Sequence, residues 1–420
     1  MKKPSGSLKG DPKVLYEKAV TILASGSLSP QDLEEVLELV KSSVAQGYAP
    51  AQIALGDMYS QGYGVAKNRR TASKLYRSAA KQEFADAQVK LGLLYKNGHG
   101  VAQNYPEAVN CFQSAADQKF AQGQYNLGLM YEEGLGVPID YKQASELYRS
   151  AAKQEFADAQ VKLGLLYKNG HGVAQDYHEA LRCFQSAVDQ EFAQGQYNLG
   201  RMYEDGLGVP IDYEQAFELY QSAAKQEFAE AQYKLGRMYE EGLGVPRDYR
   251  EAVNCFRGAA EQEFVEAQYK MGRMYEEGLG VPQNYWIALE WYRKAGYRHH
   301  LLAQKTLGLI FFYGRGVVAS NSLKAFNWFS RAAKQGDAEA QNHLGLLYIK
   351  EVGSIKDYVK AVEMFELAAG QELPEAQYNL GRMYEDGHGV PLDHEEARKL
   401  YQSAADQGNQ DAIDALKKIK

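Results

Sequence analysis

The feature that most constrains this chain is self-similarity at a fixed period. Ala51, Ala87, Gly123, Ala159, Gly195, Ala231, Ala267, Ala303, Ala340 and Ala376 open ten segments spaced by 36 residues, with a single-residue insertion between Val317 and Ala325. A period of this length marks an array whose units bury their apolar faces only by stacking on their neighbours. The segment AQVKLGLLYKNGHGVAQ recurs identically at 87–103 and 159–175, so a 72-residue pair of units was duplicated as a block.

Each unit reads as two short helices. In the unit Ala231–Glu266, Ala231, Leu235, Met238 and Tyr239 recur at helical spacing and form one apolar face of a helix A. Gly242-Leu243-Gly244 stops that helix, because glycine accepts the left-handed backbone of a helix end. Pro246 follows, and its ring cannot extend the preceding helix. A helix B then opens at Asp248.

The opening position is Asn or Asp in every unit: Asn68, Asn104, Asp140, Asp176, Asp212, Asp248, Asn284, Asn321, Asp357 and Asp393. A short side-chain oxygen there accepts from the unpaired amides of the first turn. In six units Glu or Gln follows three residues later, as in Asp248 and Glu251, which predicts a reciprocal capping box. Helix A also carries an interior glycine in every unit, among them Gly92, Gly128, Gly200, Gly236 and Gly381. Such a glycine costs about 1 kcal/mol relative to alanine, so its repetition predicts another helix pressed against the backbone.

The combination of Leu-Gly and Tyr on helix A, Gly-x-Gly-Val in the loop and small alanines on helix B closely resembles the Sel-1-like repeat family. The resemblance covers residues 51–411 and implies an all-α fold: a right-handed, tetratricopeptide-like α-solenoid of about ten 36-residue helix-turn-helix repeats. Departures are local. Glu351 replaces the first loop glycine of its repeat and Phe311 replaces a tyrosine, which predicts altered curvature near 310–360.

The flanks divide accordingly. Residues 1–12 are expected to be disordered, 13–48 to form an atypical capping helix pair opening near Ser29-Pro30-Gln31-Asp32, and 412–420 to form a last capping helix. The amino terminus lacks the apolar run of a signal peptide, and no stretch approaches a membrane span, so a cytoplasmic location is the default expectation. A signal-independent route of secretion is left open. Net charge is −7 with acids and bases interspersed, which favours neither nucleic acid nor direct insertion into a membrane.

Catalytic readings fail on position. Ser78–Lys81, Ser150–Lys153 and Ser222–Lys225 match the Ser-x-x-Lys pattern of penicillin-recognising enzymes, and cysteine-rich members of the resembled family have been credited with β-lactamase activity. Here the serines sit on a repeated last turn of helix B, and Asp117, Asp189 and Asp406 replace the lysine in sister units. The Ser-Asp-Asn and Lys-Thr-Gly motifs are missing. Cys111, Cys183 and Cys255 occupy one repeat position where other repeats carry Leu75, Leu147, Leu219 or Trp291, which is the pattern of a core residue. His99, His171 and His388 read as turn residues, and adjacent His299 and His300 point apart. The Gly-x-Gly ends a helix rather than following a strand, so it is no phosphate loop. This reading calls for no catalytic residue, no metal and no cofactor.

Binding is expected on a concave face lined by the A helices. A stripe with spacings of four and three presents Tyr197, Arg201 and Glu204, with equivalents Tyr233, Arg237 and Glu240, Tyr269, Arg273 and Glu276, and Tyr378, Arg382 and Glu385. Tyr and Arg are enriched at binding hot spots. The structural reading of the same stripe is an internal Arg–Glu pair, and the two are compatible. Val89, Leu93 and Lys96, and Val161, Leu165 and Lys168, would supply apolar-basic stations between them.

The predicted function is a non-enzymatic scaffold for a protein or extended peptide. Self-association through Trp286, Trp291 and Trp328 is the alternative. The resemblance implies adaptor roles in membrane-associated complexes, signalling or bacterium–host contact, with the partner unspecified.

Overall fold

The computed structural model describes residues 10–25, 29–316, 318–350 and 357–419. Within them the chain forms 23 α-helices, and β-structure is confined to an isolated bridge between Arg315 and Val318. The chain divides into two units, Met1–Asp212 and Tyr213–Lys420. Each is a stack of antiparallel helix pairs, in which every helix packs on the next along the chain. In the first unit A helices of successive repeats also touch directly, as Ala85–Asn97 does Ala121–Glu133. This is an α-solenoid, built from repeats counted here from Ala51.

Helix A of the second repeat spans Ala85–Asn97 and helix B Tyr105–Asp117. Helix A thus begins two residues before Ala87. The residue ahead of it, Phe84, is extended and gives no side-chain cap, and the same holds for Phe120, Phe156 and Phe228. An apolar residue supplies no capping oxygen, so the sequence carries no polar signal for this start.

The interior glycines do what their repetition predicts. A Cβ on Gly128 would lie 2.6 Å from Tyr148 Cε1 of helix B, and one on Gly236 2.7 Å from Phe256 Cδ1. The rings they admit, Tyr148, Tyr292, Tyr401, Phe112, Phe184, Phe256, Phe329 and Phe365, are fully buried. Loop glycines serve a second approach: a Cβ on Gly172 would lie 2.2 Å from the carbonyl carbon of Tyr141, at the start of the previous repeat's helix B. That contact joins neighbouring repeats.

Helix B is capped as expected, with Asn68, Asn104, Asp140, Asp176, Asp248, Asn284, Asn321, Asp357 and Asp393 accepting from first-turn amides. The reciprocal capping box at these caps is a correction. The backbone N–H of Asp248 donates to the Tyr239 carbonyl at 2.9 Å, and that of Asp140 to Tyr131 at 3.0 Å. The donor that Glu251 would have accepted from is already taken, because the loop folds back on helix A. In the flanking pair the box does close: Ser29 N donates to Asp32 Oδ2 at 2.8 Å, and Asp32 N to Ser29 Oγ at 3.2 Å.

That flanking pair spans Pro12–Leu23 and Pro30–Ala45, and its Leu15, Ala19, Val36 and Leu39 pack with Leu55 and Met58 of the first repeat. Residues 1–9 of the expected disordered segment lie outside the described residues, as does Glu351. The last helix, Gln410–Leu416, is capped by Asn409 and buries Ala412 beside Tyr401.

The turn from helix B to the next helix A has a feature that pattern reading missed. Glu83, Lys119, Glu155, Glu191, Glu227, Glu263, His299 and Glu372 sit there at positive φ, between 56° and 68°. Left-handed backbone costs a residue with a Cβ roughly 1–2 kcal/mol. Gly47, Gly336 and Gly408 hold the equivalent place without that cost.

A candidate binding face on the A helices

The A-helix stripe is only partly a surface. Tyr197, Tyr233, Tyr269 and Tyr378 are half-buried. Tyr233 packs against Phe256 and Phe264 at ring separations of 5.8 and 5.2 Å, and Tyr378 against Tyr401 at 5.6 Å. Burial pushes the phenol of Tyr233 above its usual range. These tyrosines therefore rest their rings on helix B and leave an edge outside. Val89 and Val161, expected as groove residues, are 1 % exposed and belong to the core, a correction to the alternating-station pattern. The third position of each repeat faces helix B closely enough that an aliphatic side chain there disappears, whereas a longer tyrosine emerges.

The arginines pair with acids, but not with those the spacing of three suggested. Arg237 Nε and Nη2 both donate to Glu241 Oε1, at 3.0 and 2.8 Å. Arg273 grips Glu277 with two bonds, Nε to Oε1 at 2.9 Å and Nη2 to Oε2 at 3.2 Å. Glu240, Glu276 and Glu385 are engaged elsewhere. Tyr292 donates its hydroxyl to Glu276 Oε2 at 2.6 Å, and Tyr401 donates to Glu385 Oε2 at 2.5 Å. Glu240, whose helix B carries Phe256 instead, takes Lys270 of the next repeat at 2.6 Å. Glu204 is half-buried and engaged as well. The glutamates of the stripe are thus structural, and burial together with the glutamate bond holds the Tyr148, Tyr292 and Tyr401 hydroxyls protonated far above the ordinary range.

Where the acid at spacing four is Asp, the pairing weakens. Arg201 Nη2 reaches Asp205 only at 3.7 Å, and Arg201 Nε is buried without a hydrogen-bond partner. Aspartate is one methylene shorter than glutamate and cannot span to the Nε edge. Arg382 faces the same shortfall: it is exposed, while Asp386 lies 3.8 Å from His388.

Sequence reasoning overlooked the second residue of each repeat, glutamine in all ten. Gln154 Nε2 donates to Gln124 Oε1 at 2.9 Å, and the same bond joins Gln118 to Gln88, Gln190 to Gln160, Gln262 to Gln232 and Gln371 to Gln341. The first glutamine also reaches back to the previous repeat, as Gln304 does to the Gly296 carbonyl at 2.8 Å. Its tenfold repetition was the available signal. In the seventh repeat Arg298 replaces the donor glutamine, and Gln268 Oε1 is left buried without a partner.

Groups weighed for catalysis have structural environments. Ser222 donates its hydroxyl to the Glu218 carbonyl within helix B. Burial pushes the Cys111 thiol up to about 11 and those of Cys183 and Cys255 to about 12, away from the reactive thiolate. His388 stacks on Tyr358 at 4.4 Å, His171 lies against Tyr141, and His300 caps a helix through Nδ1. Among the described residues no group of three His, Cys, Asp or Glu side chains is placed to hold a metal ion, and no helix is long and apolar enough to cross a membrane.

Known proteins match this architecture repeat by repeat. The Sel1 repeat profile matches residues 49–84, 85–120, 121–156, 157–192, 193–228, 229–264, 265–300, 301–337, 338–372 and 374–409. The chain belongs to the Sel1 repeat family, whose members generally mediate protein–protein interaction and are generally non-catalytic. It is similar to a solved protective antigen present in uropathogenic Escherichia coli strains and displaying an SLR fold, at 32 % identity and TM-score 0.64, over 97 % of this chain and 87 % of that one. It is also similar to a Sel1 repeat protein from Oxalobacter formigenes, at 30 % identity and TM-score 0.53, over 58 % of this chain and 96 % of that one. No curated protein matches the chain.

Proposed function

We propose that this chain is a non-enzymatic scaffold that binds a protein or an extended peptide along the face of its A helices. The observation that carries the reading is Arg201: a guanidinium on the stripe, beside a half-buried tyrosine, whose Nε has no protein partner. An unmade bond at a buried donor costs about 1–3 kcal/mol, which a carbonyl or carboxylate would recover if the partly exposed Arg201 side chain turned its Nε edge outward to meet it. Arg237 and Arg273 are held by their glutamates beside aromatic side chains, the residue types that recur at binding hot spots. Binding of nucleic acid or insertion into a membrane is not part of this proposal.

The test is affinity capture from the native cell with the intact chain and with a triple Arg201, Arg237, Arg273→Ala variant. The variant is expected to keep its helical content and lose partners. Retention of every partner would remove the A-helix face from consideration. Arg201→Ala alone should account for more of the loss than Arg237→Ala.

A second reading, self-association, is favoured by Trp286, which is 59 % exposed at the start of a helix B. Light scattering over a range of concentrations, with Trp286→Ser for comparison, measures it. A constant monomer mass in both would end this reading.

A further inference from the structure

The seventh and eighth repeats carry large cationic and aromatic side chains at two positions where most other repeats carry Ser and Cys or Leu. Near the end of helix B, Ser78, Ser114, Ser150, Ser186, Ser222 and Ser403 correspond to Lys294 and Arg331. Three positions earlier, the Cys or Leu of most repeats corresponds to Trp291 and Trp328. Trp328 is accommodated because Gly296 stands where most repeats have alanine: a Cβ there would lie 3.0 Å from the indole. The aromatic is therefore built into the packing and is 6 % exposed.

Between helix B of the seventh repeat, Tyr285–Tyr297, and that of the eighth, Ser322–Lys334, this leaves an open cleft of about 1040 Å³. Arg293, Lys324, Arg331 and Lys334 line it, and no acidic residue does. Among the described residues none of these four is in an ion pair, whereas acids are the commoner charge in the chain at large. Three of them are fixed on ring faces. Arg293 lies 5.9 Å and Lys324 5.3 Å from the Phe311 ring centre, and Arg331 lies 5.5 Å from Tyr297 and 5.4 Å from Trp328. Cation–π contact holds these heads in place without neutralising them.

We infer that this cleft binds an acidic peptide segment of a protein partner, its carboxylates received by Arg293, Lys324, Arg331 and Lys334. The site lies on the B-helix layer and does not depend on the A-helix stripe. Prepositioned arginines suit carboxylates, which they can grip with two bonds. Single-stranded nucleic acid is the competing polyanion, and it needs bare ring faces on which bases stack. Here the Phe311 and Trp328 rings are buried and covered by cations, and the exposed phenol ring of the lining, Tyr297, already has Arg331 over it. The adjoining hollow beyond Tyr297 is mixed in charge, with Glu261 and Glu263 beside Lys294 and Arg298 and with Arg298 paired to Glu263, so no unbroken basic track continues from the cleft for a phosphate backbone.

The test uses the full chain and a fluorescein-labelled peptide Glu-Asp-Glu-Phe-Glu-Asp-Glu, with the Gln/Asn isostere and a labelled oligouridylate of equal charge as further probes. The acidic peptide is expected to bind, to weaken at least tenfold when 50 mM salt is raised to 200 mM, and to lose at least tenfold in Lys324→Gln/Arg331→Gln. Lys399→Gln, which removes a charge far along the sequence, should leave it unchanged. If the Arg331 variant melts early, Lys324→Glu/Lys334→Glu decides, since both side chains are exposed. Equal binding by intact and cleft-altered chains, no binding of the acidic peptide, or cleft-dependent binding of the oligouridylate tighter than the peptide would each overturn the proposal.

Discussion

The last turn of helix B in the second, third and fourth repeats carries Ser114-Ala115-Ala116, Ser150-Ala151-Ala152 and Ser186-Ala187-Val188, and just beyond it a Gln–Gln bond ties back to helix A of the same repeat. The last turns of the seventh and eighth carry Lys294-Ala295-Gly296 and Arg331-Ala332-Ala333. There the Gln–Gln bond is missing once, a tryptophan fills the space of a leucine, and a cleft lined by unpaired cations opens. The helices, caps and loop glycines are nearly the same in both regions. Side chains can therefore redesign the surface of a solenoid wherever its backbone contacts are left intact.

The comparison breaks most visibly at the glycines common to both regions. Gly236→Leu should cost about 3 kcal/mol, because the side chain must displace the buried Phe256 ring. Since long repeat arrays need not unfold as one unit, hydrogen exchange of the fifth to seventh repeats is the measurement. Ordinary exchange there would sink the close-packing account.

Next in size is Tyr292→Phe, which removes the hydroxyl from Glu276 and should cost about 1.5 kcal/mol, a usual value for a bond to a charged acceptor. Phe256, at the same position one repeat earlier, marks where no loss is expected because Lys270 serves Glu240. The phenol of Tyr292 is raised in the folded chain, first by burial and then by Glu276. Its contribution is thus complete below the unfolded tyrosine value of about 10 and is lost as pH rises above it. Denaturant titrations at pH 8 and pH 11 should show the gap between wild type and Tyr292→Phe narrowing at the higher pH. A gap that widens would mean the sign is wrong.

Smaller again is the coupling between Gly296 and Trp328. Gly296→Ala should destabilise by about 1 kcal/mol in the native background and by nearly nothing beside Trp328→Leu, which restores the residues of a regular repeat. Additive losses in the double-mutant cycle would deny that the pair was exchanged together. Arg298→Gln restores the missing Gln–Gln bond and should stabilise by about 0.5–1 kcal/mol, after loss of the exposed Arg298–Glu263 ion pair. Glu155→Gly should stabilise by about 0.5 kcal/mol by relieving left-handed backbone, as Gly336 and Gly408 do elsewhere. A lower midpoint in urea for either variant would contradict the assignment.

Much of this was legible in the residues. The 36-residue period, the Asn or Asp at each helix start and the interior glycines report contacts within one turn or one unit, and such contacts leave a signature at short spacing. The candidate face was legible as a stripe and not as chemistry. Arg237 choosing Glu241 over Glu240 depends on Glu240 being drawn to Lys270, 30 residues away. The unclosed capping box depends on a loop folding back on Tyr239. Val89 vanished into the core because of the distance between two helices, which no periodicity encodes.

Local propensity, turn chemistry and repetition all act over a few residues, so a stack of capped helix pairs is written into the residues of this chain. Which polar groups remain for a partner emerges from the packed fold. Partner choice among side chains is settled by neighbours from adjacent repeats, and a buried donor such as Arg201 Nε is recognisable only once every group that could have reached it is in place.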